Sequence, residues 1–83
     1  MFDDKTHELI AVGASITANC QPCLDYHTAK ARELGVSDED IQAAVKVGQL
    51  VRRGATAKMD RFAAQVVGQE QNPVSPPAGC ECR

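Results

Sequence analysis

The stretch CQPCLDYHTAKARELGVSDEDIQAAV, residues 20–45, sets the fold class by where it starts and stops helices. Pro22 fits a first helical turn, where its missing N–H is not needed. A helix starting near Cys20 to Cys23 then runs to Leu34, and Gly35 stands where a C′ residue takes positive φ at no steric cost. Ser37, with Asp40 three residues later, makes a capping-box-like start in which Asp replaces the more usual Glu. Two helices joined by a tight turn are therefore expected.

Upstream, a helix is expected from about Asp4 to Ala18, with Asp3, Asp4 or Thr6 as N-cap and acidic residues at its positive end. Leu9, Val12, Gly13 and Ile16 form one stripe, but Ile10, Ala14 and Ala18 fall on other faces. A helix apolar nearly all round is a buried one. So short a chain can hardly cover all those faces, which predicts contact with another subunit through this helix.

Downstream, the third helix should run from about Asp38 to Arg52, burying Ile41, Ala44, Val45, Gly48 and Val51. Arg52 and Arg53 before Gly54 read as its negative end. A fourth, about Ala55 to Val67, carries Met59, Phe62, Ala63 and Val66 on one stripe. No stretch alternates apolar and polar residues with period two, so the expected fold is all-α, a compact bundle of about four helices completed by oligomerisation.

The chain divides into a core domain, residues 1–68, and a tail, residues 69–83, that reads QEQNPVSPPAGCECR. With three prolines and almost no bulky apolar side chain, the tail cannot offset the entropy of ordering, about 1–2 kcal/mol per residue of backbone. A mobile arm ending in Cys80-x-Cys82 is expected, able to shuttle electrons or simply to lie idle.

Composition narrows the function classes. A domain of 83 residues has a marginal core unless a metal, a disulfide or a partner subunit helps it. The net charge of −2 defines no partner, and Lys46, Arg52, Arg53, Lys58 and Arg61 are interleaved with apolar residues, so nucleic acid is not expected as a ligand. The uncharged helical run Leu9 to Ala18 is about half of the ~20 residues a membrane span requires. No basic n-region precedes it, so a cytoplasmic protein is expected. In that compartment a C-x-x-C pair is more often catalytic or metal-binding than a structural staple.

Spacings of three and four place Cys20, Cys23 and His27 on one helical face, and helical side chains lean toward the N-terminus, bringing His27 over Cys23. Unpaired N–H groups of the first turn stabilise a thiolate there. Three uses fit these residues. They can be ordinary small core residues. They can be three zinc ligands, with Cys80 or Cys82 as the fourth. Or they can be a redox site, which needs an activated thiolate, a resolving thiol and a proton shuttle, and no cofactor. The redox use asks least of the proline-rich tail.

Glu8, eleven residues, CQPC, three residues, His27, followed by HTAKARELGVSDEDIQAAV, resembles the signature of alkylhydroperoxidase D-like proteins of the carboxymuconolactone decarboxylase superfamily. The resemblance covers about Glu8 to Val67. It implies an all-helical fold that assembles as dimers, trimers or hexamers, and thiol-dependent reduction of hydroperoxides by an enzyme that draws on an external dithiol. By analogy Cys23 is the peroxide-attacking thiolate and Cys20 the resolving thiol, with Glu8 and His27 relaying protons. Helix geometry alone leaves the cysteine roles open, since Cys20 lies nearer the helix end. Spacing alone does not find Glu8.

Two departures bear on the substrate. Some peroxidatic members carry a histidine between the cysteines, where this chain has Gln21 and Pro22, so a disulfide substrate stands beside a hydroperoxide. The chain also has only the short core of longer members. The decarboxylase branch lacks the C-x-x-C pair, which argues against lactone decarboxylation.

Overall fold

The computed structural model describes residues 1–68. Within them the fold is all-α: α1 (Asp4–Thr17), α2 (Gln21–Glu33) and α3 (Asp38–Val67). α1 packs against both others, while α2 and α3 scarcely touch. The tail, with Cys80, Cys82 and their expected mobility, lies outside the described residues.

Polar N-cap side chains and left-handed residues set the helix boundaries. Asp3 caps α1, its Oδ1 accepting the Thr6 N–H at 2.8 Å. That bond holds the exposed Asp3 carboxyl below the usual carboxylate range. α1 ends in a Schellman turn: Asn19, at φ 57°, donates to Ile16 O at 3.1 Å and Cys20 donates to Ser15 O at 3.0 Å. Asn is among the few non-glycine residues that adopt this conformation readily. α2 ends the same way, with Gly35 at φ 88° donating to Arg32 O and Val36 to Ala31 O. Val36 and Ala31 are both buried, supplying the apolar contact that accompanies this motif. Ser37 caps α3 by accepting the Asp40 N–H at 3.1 Å.

The expected third and fourth helices are one. α3 runs 30 residues through Gly54, whose φ is not positive. A glycine costs a helix about 1 kcal/mol relative to alanine, and Ala55, Ala57 and Lys58 are strong helix formers, so the turn is uninterrupted. Arg52 therefore does not sit at the negative end of its own helix. It serves α1 instead, donating from Nη1 to Ile16 O at 3.1 Å and to Asn19 Oδ1 at 2.9 Å.

The core is small: Val12, Ala31, Val36 and Ile41, with Leu9, Leu24, Ala44 and Val45 against it. Gly48 is buried as expected, but Val51 is exposed. At Gly13 and Gly48 the α1 and α3 backbones meet, and Thr17 Oγ1 reaches Gly13 O at 3.1 Å and Gly48 O at 3.2 Å. Beyond Arg52 every residue of α3 is exposed, including Met59, Phe62 and Val66.

Candidate active site

The Schellman turn that ends α1 delivers Cys20 directly to the N-cap of α2. Its Sγ accepts the Cys23 N–H at 3.3 Å, so the sulfur occupies the place of a capping oxygen at the positive helix end. Cys23 follows one turn in, and the two are joined as a disulfide with Cα atoms 5.2 Å apart. A structural zinc would need both as free thiolates with further donors. Among the described residues no group of three or more His, Cys, Asp and Glu side chains is gathered to hold a metal. Cys80 and Cys82 lie outside them, and the disulfide favours redox use over the zinc alternative.

His27 and Glu8 meet across the α1–α2 interface, Nδ1 to Oε1, at 2.7 Å. Glu8 is only 8% exposed, although a lone carboxylate at that position would ordinarily face solvent. The pairing accounts for its burial. An ionised carboxylate can only accept, so the contact suits the His27 tautomer that carries its hydrogen on Nδ1. Tyr26 stands edge-on to the imidazole, with ring centroids 5.0 Å apart.

His27, Cys23 and Cys20 share a cavity of about 240 Å³ with Ala11, Ala14, Ser15 and Ala18 of α1. Three of its walls are methyl groups. The expected cluster is thus assembled, with Glu8 behind His27 rather than in the cavity lining. His27 and Cys23 line one cavity, and the Nδ1 of His27 is turned to Glu8.

Ser15 was missed by sequence reasoning. It is buried, donates to Ala11 O at 2.7 Å and lines the same cavity. Its signal was available: Glu8, Val12 and Ser15, at helical spacings of four and three, are the three buried positions of α1.

These features define an all-α protein built around a C-x-x-C disulfide with a histidine–carboxylate pair beside it. The chain belongs to the carboxymuconolactone decarboxylase family, whose pattern matches residues 2–66. Two proteins named alkyl hydroperoxide reductase AhpD are similar to it. The one from Hyphomonas neptunium is 42% identical over 48 residues, 58% of this chain and 27% of the relative. The one from Azorhizobium caulinodans is 38% identical over 55 residues, 66% of this chain and 30% of the relative. A protein of Paracoccus denitrificans described as uncharacterized protein 4 in cox locus is 36% identical over 54 residues, 65% of this chain and 49% of that one. The chain thus spans between about a quarter and a half of the length of these relatives. No solved structure matches. Among the described residues no helix is long and apolar enough to cross a membrane.

Proposed function

We propose that this protein is a thiol-dependent hydroperoxide reductase, a reading carried by the Cys20–Cys23 disulfide sharing one small apolar cavity with His27. The AhpD-named relatives support it. The Cys23 thiolate attacks the terminal oxygen of ROOH; an S–O bond forms, the O–O bond breaks, and the departing alkoxide takes a proton from His27. Glu8 steadies the imidazolium. Cys20 then attacks the Cys23 sulfenic acid, forming the disulfide and releasing water. An external dithiol restores both thiols and is itself oxidised. Alanine walls suit the alkyl group of a small hydroperoxide better than a polypeptide disulfide. Stopped-flow mixing of the reduced protein with tert-butyl hydroperoxide tests this: oxidation no faster than that of a free dithiol would overturn it.

Glu8→Gln keeps the shape of the buried side chain but removes its charge. Oxidation by the hydroperoxide is expected to slow by roughly a hundredfold, the scale of a lost proton-transfer role. The folded helix content should persist by circular dichroism. A Glu8→Gln protein as fast as the wild type would leave the carboxylate with a structural role only.

We also read one apolar face of the chain as a surface for self-association. Thr6, Leu9, Ile10, Val47 and Val51 border a groove of about 440 Å³ between α1 and α3, and Ile10, Val47, Leu50 and Val51 are each half-exposed or more. With a core of four buried apolar residues, a second copy seated on this face supplies the missing burial. Sedimentation at micromolar concentration should show a dimer or larger, and Val47→Lys should shift it toward monomer. A monomeric wild type would refute the idea.

A further inference from the structure

Among the described residues Cys20 lines a second cavity besides the one it shares with Cys23 and His27, and Cys23 does not border it. This second cavity, of about 180 Å³, is lined by Ile16, Asn19, Cys20, Gln21, Leu24 and Arg52, with Ser15 common to both. Among the described residues no carboxylate lines it, and its one formal charge is the Arg52 guanidinium. Arg52 is fixed by Ile16 O and Asn19 Oδ1, but both bonds leave from Nη1, so Nη2 and Nε are not committed by them. Arg52 and Cys20 thus line one cavity, and His27 is not among its lining residues.

We propose that this cavity receives the reductant, a small dithiol bearing a carboxylate, and that Arg52 selects it by its charge. The proposal rests on reading the Cys20–Cys23 pair as a disulfide that turns over. Exchange at a disulfide runs nearly in line, the incoming thiolate opposite the leaving sulfur. The cavity that borders Cys20 but not Cys23 is the side from which we take the thiolate to approach. The incoming RS⁻ bonds to Cys20 Sγ, the Cys20–Cys23 bond breaks, and its electron pair leaves with Cys23 into the cavity that holds His27, which protonates it. The second thiolate of the reductant then attacks the reductant's sulfur in the mixed disulfide, freeing Cys20 and leaving the reductant as a disulfide. Two thiols are oxidised and one protein disulfide is reduced. The two faces of Cys20 thereby separate the reductant from the hydroperoxide.

The experiment uses full-length protein oxidised with diamide, without any peroxide. Its reduction is followed by stopped flow with 3-mercaptopropionate, 2-mercaptoethanol and cysteamine, each rate expressed per thiolate and corrected for thiol basicity. The anionic thiol should react roughly fivefold faster than the neutral one and the cationic thiol slower by a similar factor, the scale of one partly exposed charge pair. Raising the salt should compress the series. Arg52→Gln should abolish the preference and Arg52→Lys keep its order. Gln21→Glu, at an exposed first-turn position where a carboxylate does not impair the helix, should reverse it. An unaltered preference in Arg52→Gln and Gln21→Glu, or none in the wild type, would overturn the assignment alone, whatever the protein does with peroxide. A disulfide that no thiol reduces would overturn the redox reading with it.

Discussion

Replacing Gly48 by Ala is expected to lower the melting temperature by roughly 10 °C, although alanine is much the better helix former. An added Cβ would lie 2.5 Å from Gly13 O, 2.9 Å from Ile16 Cβ and 3.2 Å from Gly13 C. None of these atoms is the end of a flexible side chain, so relief requires α1 and α3 to separate where they pack most closely. Such overpacking costs about 3 kcal/mol, against a helix-propensity gain of about 1 kcal/mol. In a domain of this size the net loss of about 2 kcal/mol corresponds to the stated shift.

Gly54→Ala, six residues along the same helix, should act in the opposite sense. Nothing lies within 4 Å of its added Cβ, so only the propensity gain of about 0.5–1 kcal/mol remains and melting should rise by a few degrees. Thermal unfolding followed by circular dichroism measures both. A Gly48→Ala protein that melts with the wild type would deny the close approach of the helices. A destabilised Gly54→Ala protein would mean that α3 is broken there.

Gly54 also marks where sequence reasoning loses the fold. Local stop and start signals work when a side chain or a left-handed residue satisfies a helix end, as Asp3, Gly35 and Ser37 do. Two arginines before a glycine imitate such an end, but Arg52 belongs electrostatically to the end of α1, far away in sequence. Only folding reveals that partner. The site divides in the same way. Cys20, Cys23 and His27 are legible because helical spacing alone gathers them on α2. Glu8 depends on how α1 docks against α2, so resemblance could supply it but spacing could not. Its burial together with Val12 and Ser15 identifies the docked stripe as partly polar, a pattern that a search for apolar periodicity overlooks.

Cys20→Ser and Cys23→Ser should each cut turnover by roughly a thousandfold or more, as loss of a covalent nucleophile does, yet they should differ in what they accumulate. Electrostatics favours Cys20 as the thiolate, because its sulfur occupies the N-cap and accepts the Cys23 N–H. Proton supply favours Cys23, because it lines the cavity holding His27, whereas Cys20 lines both that cavity and the one of Arg52. The two arguments concern different steps. Peroxide cleavage needs a proton for the departing alkoxide, so the thiol that lines the His27 cavity and not that of Arg52 is expected to be the better attacker. A stabilised thiolate is the better resolving and exchanging group, which suits Cys20. After one equivalent of hydroperoxide, Cys20→Ser should hold a sulfenic acid on Cys23 that dimedone traps and mass spectrometry locates. Cys23→Ser should give little adduct on the same timescale. Trapping only in Cys23→Ser would exchange the two roles and make first-turn stabilisation of the thiolate, rather than the proton from His27, the effect that decides which sulfur meets the peroxide.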